Sequence, residues 1–327
     1  MREVPEPAPG GRADGSANGN GEADTRSGFV ALIGATNAGK STLLNALVGE
    51  KVSIVTHKVQ TTRANVRGIR EHAIARGKAA GTRAQIVFVD TPGIFQPRRR
   101  LDRAMVDAAW AGAKDADLVS LIVDVERGLS EAGAAILARL RDVRLPRVLL
   151  LNKIDRVEPE RLLALAAEAN AACPFDATFM ISALHGDGLT DYLDHLARTL
   201  PPGPFLYPAG ETSDQDPRVA AAETTREKVY LRLHQELPYN VHVETEEWEE
   251  RRDGSVRIGQ AVYVPREGHR KIVLGHKGKT IRQIGQAARE DIAERLGRPV
   301  HLFLFVKVRP WLDDPERYRE MGLDFSR

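Results

Sequence analysis

Along the first two hundred positions, short and nearly unbroken apolar runs alternate with stretches that carry apolar residues at helical spacing. The runs are FVALIG (29–34), QIVFVD (85–90), LVSLIVD (118–124), RVLLLN (147–152) and ATFMIS (177–182). The stretches between them predict helices over 40–49, 102–113, 130–141, 159–171 and 189–199. Strands that are apolar on both faces and separated by helices predict a parallel sheet covered on both sides. The pattern begins at Gly28. Residues 1–27 are rich in Gly, Pro, Ala and charge, without aromatics or periodicity. They bury too little to fold and read as a disordered tail.

At LPPGPFLYP (200–208) and the polar AGETSDQDP that follows, the alternation stops. Residues 201–218 read as a linker. Beyond it the order changes: helix 219–236, strand 240–248, strand 256–264, helices near 270–277 and 279–296, strand 300–309. The two strands flanking RRDG predict a hairpin. A second α+β module therefore spans 219–315, with a tail at 316–327. The fold class expected is an α/β P-loop domain with a parallel-rich sheet, residues 28–200, followed by this smaller α+β domain.

The chain has 327 residues, 42% hydrophobic and 28% charged, with a net charge of +2. This is a soluble globular mixture with no whole-chain field toward nucleic acid, so any basic surface must be local. The single cysteine, Cys173, excludes an internal disulfide and suits a reducing compartment. No apolar run approaches the ~20 residues of a membrane span, and the N-terminus lacks an apolar signal core.

Candidate chemistry sits where the predicted strands end. GATNAGKS (34–41) fits G-x-x-x-x-G-K-S between a strand and a helix. Backbone N–H groups from Gly34 through Thr42, including Asn37, Ala38 and Gly39, would wrap phosphates. Lys40 would reach the β and γ oxygens, and Ser41 would ligate Mg²⁺. In DTPG (90–93), Asp90 would hold Mg²⁺ through water and the Gly93 N–H would meet the γ-phosphate. In NKID (152–155), the Asp155 carboxylate can accept from guanine N1–H and N2–H₂, a donor pair adenine lacks. Asn152 would steady the loop and the base O6, with the Lys153 stem along the base plane. The N–H groups of SAL (Ser182, Ala183, Leu184) can meet guanine O6. Each motif is weak or moderate alone; their order at successive strand ends points to GTP and GDP.

The polar segment THKVQTTRANVRG (56–68) reads as a loop that orders around the γ-phosphate. Of its paired threonines, Thr62 rather than Thr61 is taken as the residue meeting Mg²⁺ and that phosphate. Residue 94 is isoleucine, where Ras-like enzymes carry a water-orienting glutamine. Turnover is therefore expected to be slow, with Lys40, Thr62 and Gly93 the residues acting on the reacting phosphate.

In the second module, G-x-x-G at Gly275, His276, Lys277 and Gly278 lies between two helical stretches, which is a KH signature for clamping a nucleic-acid backbone. Lys279 and Arg282 add charge. Residues 265–309 hold eleven Lys/Arg against four Asp/Glu, whereas 211–256 hold six against twelve. Positive charge is thus segregated onto the G-x-x-G half, as an RNA-binding face requires.

The series GATNAGKS, QTTR, DTPG, NKID, SAL, together with GHKG, REKVYLRLHQELPY (226–239) and HLFLFVKVRPWLDD (301–314), resembles the Era family of GTPases over roughly residues 28–320. The resemblance implies a type II KH domain, and a GTP-bound form that binds the 3′ end of 16S rRNA. It further implies a role in 30S ribosomal subunit maturation, a monomer, and a cytoplasmic protein with a peripheral inner-membrane fraction. Hydrophobic replacement of the glutamine belongs to this group. An asparagine placed like Asn37 is implied to ligate K⁺; the other reading is that it satisfies loop backbone groups. Two features depart from the family pattern: no basic residue stands near the second P-loop position, and 70–83 is expanded for a turn between strands. Competing readings are a P-loop kinase or ATPase, against which NKID speaks, and a GTPase whose KH-like module docks protein.

Overall fold

The computed structural model describes residues 25–58, 61–77, 79–97, 99–234, 237–312 and 314–324. Its first module runs β1 (Thr25–Gly34), α1 (Lys40–Val48), β2 (Val66–Ala73), β3 (Arg83–Asp90), α2 (Arg100–Lys114), β4 (Leu118–Asp124), α3 (Glu131–Leu140), β5 (Arg147–Asn152), α4 (Pro159–Ala172), β6 (Ala177–Ile181) and α5 (Leu189–Thr199). The sheet order is β2-β3-β1-β4-β5-β6, with β2 antiparallel to β3 and the other neighbours parallel. Alternate residues of β1, β4, β5 and β6 feed two cores. Leu32 and Phe88 pack with Leu43, Leu44 and Tyr192 on one side. Ala31 and Ile33 pack with Trp110, Ile136 and Leu165 on the other. Burial on both faces is why these strands read as continuous apolar runs.

The second module runs α6 (Pro217–Arg232), β7 (His242–Glu250), β8 (Val256–Val264), α7 (Glu267–Leu274), α8 (Lys279–Leu296), β9 (Val300–Val308) and α9 (Pro315–Glu320). β7 and β8 form the expected hairpin, and β9 joins β8 in parallel. One face of this sheet packs on α6, α7 and α8 through Val229, Val262, Val273 and Ile284. The other face meets the first module. Ala261 and Tyr263 of β8 cluster with Leu101 and Met105 of α2 and with Trp311, Tyr318 and Leu323 near the C-terminus.

Four sequence expectations change. Order does not begin at Gly28: Thr25, Arg26 and Ser27 already pair with β3, because ladder hydrogen bonds hold polar residues that no apolar pattern marks. Residues 1–24 of the expected tail lie outside the described residues. β2 is a strand that the apolar runs missed; its face alternates too weakly in VRGIREHA. Arg70–Ala73 and Arg83, assigned to the expanded turn, belong to β2 and β3. The helix expected near 270–277 is displaced to Glu267–Leu274. Residues 316–324 are not a tail: Asp314 caps α9, and Tyr318 is fully buried.

The linker lies against the first sheet. Gln85, buried in β3, accepts from the Leu206 and Tyr207 N–H groups and donates to the Tyr207 carbonyl. The Ile69 N–H donates to the Thr212 carbonyl. Among the described residues no helix is long and apolar enough to cross a membrane.

Candidate functional site

The C-terminal ends of β1, β3, β5 and β6 place GATNAGKS, DTPG, NKID and SAL along one edge of the sheet. Gly39 adopts φ +97°, and a Cβ there would lie 2.4 Å from Asn152 Nδ2. Only glycine suits both constraints, which brings the phosphate loop against the base loop. Asn152, almost fully buried, donates from Nδ2 to the Ala38 carbonyl (2.9 Å) and accepts at Oδ1 from the Ala183 N–H (3.0 Å). One amide thus ties three of the four motifs together.

Lys40 is buried, and its Nζ donates to the Gly34 and Ala35 carbonyls at 3.1 and 2.9 Å. Burial brings its pKa down to about 8, with Asp90 opposing that shift. The Ser41 hydroxyl lies 2.9 Å from the Thr62 hydroxyl and donates to Asp90 Oδ2 at 2.7 Å. Ser53, unmarked in the sequence, donates to the same oxygen at 2.9 Å. Thr61 is turned away, its hydroxyl 2.6 Å from that of Thr56. The Asp90 carboxyl is pushed up by burial, and its Oδ1 is buried without a hydrogen-bond partner.

An orphaned buried carboxylate oxygen beside two hydroxyls fits a hard cation with oxygen ligands. Asp90→Asn removes the buried charge and the cation's counter-charge together. The melting temperature without ligand should hold or rise by ~2–4 °C, while the Mg²⁺-dependent stabilisation by nucleotide should vanish. A calorimetric scan with and without Mg²⁺ and GDP checks both.

Ile94 donates its N–H to the Gly34 carbonyl (3.1 Å), and its side chain is buried among Ala31, Ile33 and Val123. It therefore packs the sheet core and leaves water positioning to other groups. Asn37 has φ +62°, its Nδ2 donates to the His57 carbonyl (3.3 Å), and its carbonyl accepts from Lys153 Nζ (3.0 Å). That is the loop-satisfying arrangement. Lys153 also meets Asp124 Oδ2 at 2.5 Å. Sequence reading missed Asp124, although its place at the end of β4, beside Asn152 at the end of β5, was a signal.

Asp155 accepts from Ser182 Oγ at 2.8 Å, and this bond first, with His185 and Arg156 nearby, holds its carboxyl below the usual range. It is an ionised acceptor with room for further donors. Ala183 is buried and Leu184 stands out, 68% exposed. Gly93 and Thr42 line the same small cleft of about 60 Å³ as Lys40, Ser41 and Thr62.

The G-x-x-G loop closes α7 and opens α8. Gly275 has φ +71°, and a Cβ there would fall 2.1 Å from Thr280 Oγ1, so the turn demands glycine. Lys277 is left-handed at φ +51°, and Gly278 follows at φ +74°. His276, Lys277, Lys279 and Arg282 are all exposed around it, beside the exposed Ile272.

Two family models match the chain: one described as a 50S ribosome-binding GTPase over residues 29–153, the other as a KH domain over 236–312. GTPase Era of Mesorhizobium japonicum is 66% identical over 302 residues, 92% of this chain and 94% of that protein. GTPase Era of Rhizobium meliloti is 63% identical over 308 residues, 94% and 96% of the two chains. Two solved structures are 34% identical with TM-scores of 0.83, each covering 91% of this chain and 99% of the other. One is Era with MgGDPNP and nucleotides 1506–1542 of 16S ribosomal RNA. The second is an Aquifex aeolicus Era variant bound to GDP and AlF4⁻.

Proposed function

The chain belongs to the Era family of GTPases, and from that premise we propose that it is a GTP-controlled factor that binds the 3′ end of 16S rRNA during 30S subunit maturation. The protein binds GTP and GDP and hydrolyses GTP to GDP and phosphate. The RNA target rests on a relative of similar architecture whose solved complex contains nucleotides 1506–1542 of that RNA. One observation carries the reading for this chain: the G-x-x-G loop, with His276, Lys277, Lys279 and Arg282 exposed around it, sits on the half of the second module where positive charge is concentrated. A module that docked only protein would need neither the loop's three positive-φ residues nor that charge.

In this assignment the P-loop N–H groups and Lys40 bind the phosphates, and Asp155 reads the base with Ser182, Ala183 and Leu184 around it. Ser41 and Thr62, with Asp90 behind them, would hold Mg²⁺, which would offset the charge of the β and γ oxygens. The Ile94 side chain offers no polar group, so a backbone group such as the Gly93 N–H, or another residue, orients the water, and basal turnover is slow.

K⁺ remains part of the proposal through Asn37. Its side-chain oxygen takes no hydrogen bond among the described residues, although its nitrogen is committed to His57. GTP turnover in K⁺ should exceed that in Na⁺ at equal ionic strength, and Asn37→Ala should erase the difference. Equal wild-type rates leave Asn37 as a loop anchor only. The nucleotide module runs from β1 at Thr25 to about residue 200, and the RNA module begins with α6 at Pro217. A monomeric, cytoplasmic protein with a peripheral inner-membrane fraction completes the family-based picture.

The direct test is filter binding of an oligonucleotide with the 16S 3′-end sequence. Affinity should be higher with GDPNP than with GDP. No binding in either state would reject the RNA reading and favour protein docking.

A further inference from the structure

Thr62 stands beside Ser41 and Asp90, and both of its chain neighbours are held by the second module. The Thr61 carbonyl accepts from the Arg226 guanidinium of α6 at 2.6 Å. Arg226 is 1% exposed, is gripped by Glu223 (Nε to Oε1, 2.7 Å), and lies over the Tyr230 ring at 5.1 Å. On the other side, the Arg63 side chain ends wholly among groups of the second module. Its Nη1 donates to the Val241 carbonyl at 2.9 Å. Its Nη2 donates to the Tyr239 carbonyl and the Tyr230 hydroxyl, each at 3.0 Å. The guanidinium also covers the Trp311 ring at 5.0 Å.

Arg63 is 4% exposed, yet none of these three hydrogen bonds goes to a carboxylate. Burying a cation on carbonyls and ring faces is a poor way to gain stability; it makes better sense as a registration device. The same helix receives the loop further upstream. The Val55 N–H donates to Glu227 Oε1 at 2.9 Å, and Lys51 Nζ donates to Glu227 Oε2 at 2.6 Å.

We propose that Arg63 and Arg226 are positioning residues through which the RNA module sets the place of Thr62 at the nucleotide, so that GTP and RNA act on one shared equilibrium. Arg226 fixes the carbonyl before Thr62, and Arg63 fixes the chain after it. When Thr62 is held by the triphosphate and its metal, both arginine contacts can form and the second module is docked. When Thr62 is released, the Thr61 carbonyl and the Arg63 side chain withdraw together, and the module loses its hold. Coupling between two binding sites is reciprocal: RNA that favours the docked arrangement must favour GTP by the same factor. The proposal rests on Thr62 being the residue that senses the γ-phosphate.

The experiment measures affinities of the full-length protein for fluorescent GDPNP and GDP. In Arg63→Lys and Arg226→Lys, which keep the charge and lose the planar fork, GDPNP affinity should fall by about 5- to 150-fold, the range of ordinary site-to-site coupling. GDP affinity should stay within about 2-fold, since GDP makes no demand on Thr62. A residue that merely stabilised the fold would not change the ratio. Folded variants with an unchanged GDPNP-to-GDP ratio overturn the clamp.

Thr62→Ala separates the clamp from its premise. It should collapse the ratio whether or not the arginines matter, and an intact ratio there removes the premise and the proposal with it. Should a lysine variant fail to fold, hydrogen exchange on the wild type decides. GDPNP in place of GDP should protect residues 61–63 and 226–232 together. Equal protection of 226–232 under both nucleotides overturns the proposal.

Discussion

Asp155→Asn should lower the affinity for GTP by about 100-fold or more and transfer preference to xanthosine nucleotides. Guanine presents N1–H and N2–H₂ side by side, and in the proposed function the Asp155 carboxylate would accept from both. Hydrogen bonds to a charged partner are worth about 1.5–3 kcal/mol each. Loss of even one, together with an amide N–H₂ facing a donor, spans the predicted range at 1.4 kcal/mol per decade. Xanthine carries a carbonyl where guanine carries its amino group, so the new amide can donate to it. The carboxyl's low pKa, set first by Ser182 and then by nearby His185 and Arg156, keeps it ionised at neutral pH. Lowering the pH from 7 to 5 should therefore leave base selectivity intact. Titration with GTP, XTP and ATP analogues checks the claim. Wild-type affinity for GTP in the variant would remove Asp155 from base recognition.

Replacing His276 and Lys277 together by Asp should nearly abolish binding of the 16S 3′-end oligonucleotide. Two carboxylates would then stand where a phosphate backbone is to pass. Like charges held close at an interface cost several kcal/mol, which is about 100- to 1000-fold or more. Lys277 sits at φ +51°, a conformation that aspartate tolerates better than most residues, so the loop should keep its shape. Basal GTP turnover should remain near wild type, because both substitutions lie outside the nucleotide module. Arg282→Ala should weaken RNA binding uniformly and lower the salt slope by about one phosphate. Filter binding across a salt series measures both variants. RNA bound by the Asp pair as tightly as by wild type would make the G-x-x-G loop structural.

The chain's local patterns carried the outline. Continuous apolar runs marked five of the six strands of the first sheet, because burial on both faces leaves no polar alternation. β2 escaped because one of its neighbours is the linker, reached through Thr212, and a half-covered edge needs few apolar residues. The four loops at the strand ends were legible because phosphate and base recognition uses backbone N–H groups and single side chains at close sequence spacing. α9 was not legible: Trp311, Tyr318 and Leu323 are buried against α2, more than two hundred positions away, and nothing in a six-residue helix announces its partner.

By itself the sequence pointed to the phosphate and base chemistry of the first module, marked its glycines, and showed that a basic G-x-x-G loop follows. These are local matters, settled by residue type, spacing and backbone geometry. The tertiary structure alone decided that Ser53 joins Ser41 at Asp90, that Ile94 turns into the core, that Asp124 steadies Lys153, and that Arg63 reaches into the second module while Arg226 comes from that module to the Thr61 carbonyl. Each depends on which distant segment removes a side chain from water and supplies its partner. The desolvation of a buried carboxylate or guanidinium is fixed by the packed chain as a whole, and no stretch of sequence near the residue contains it.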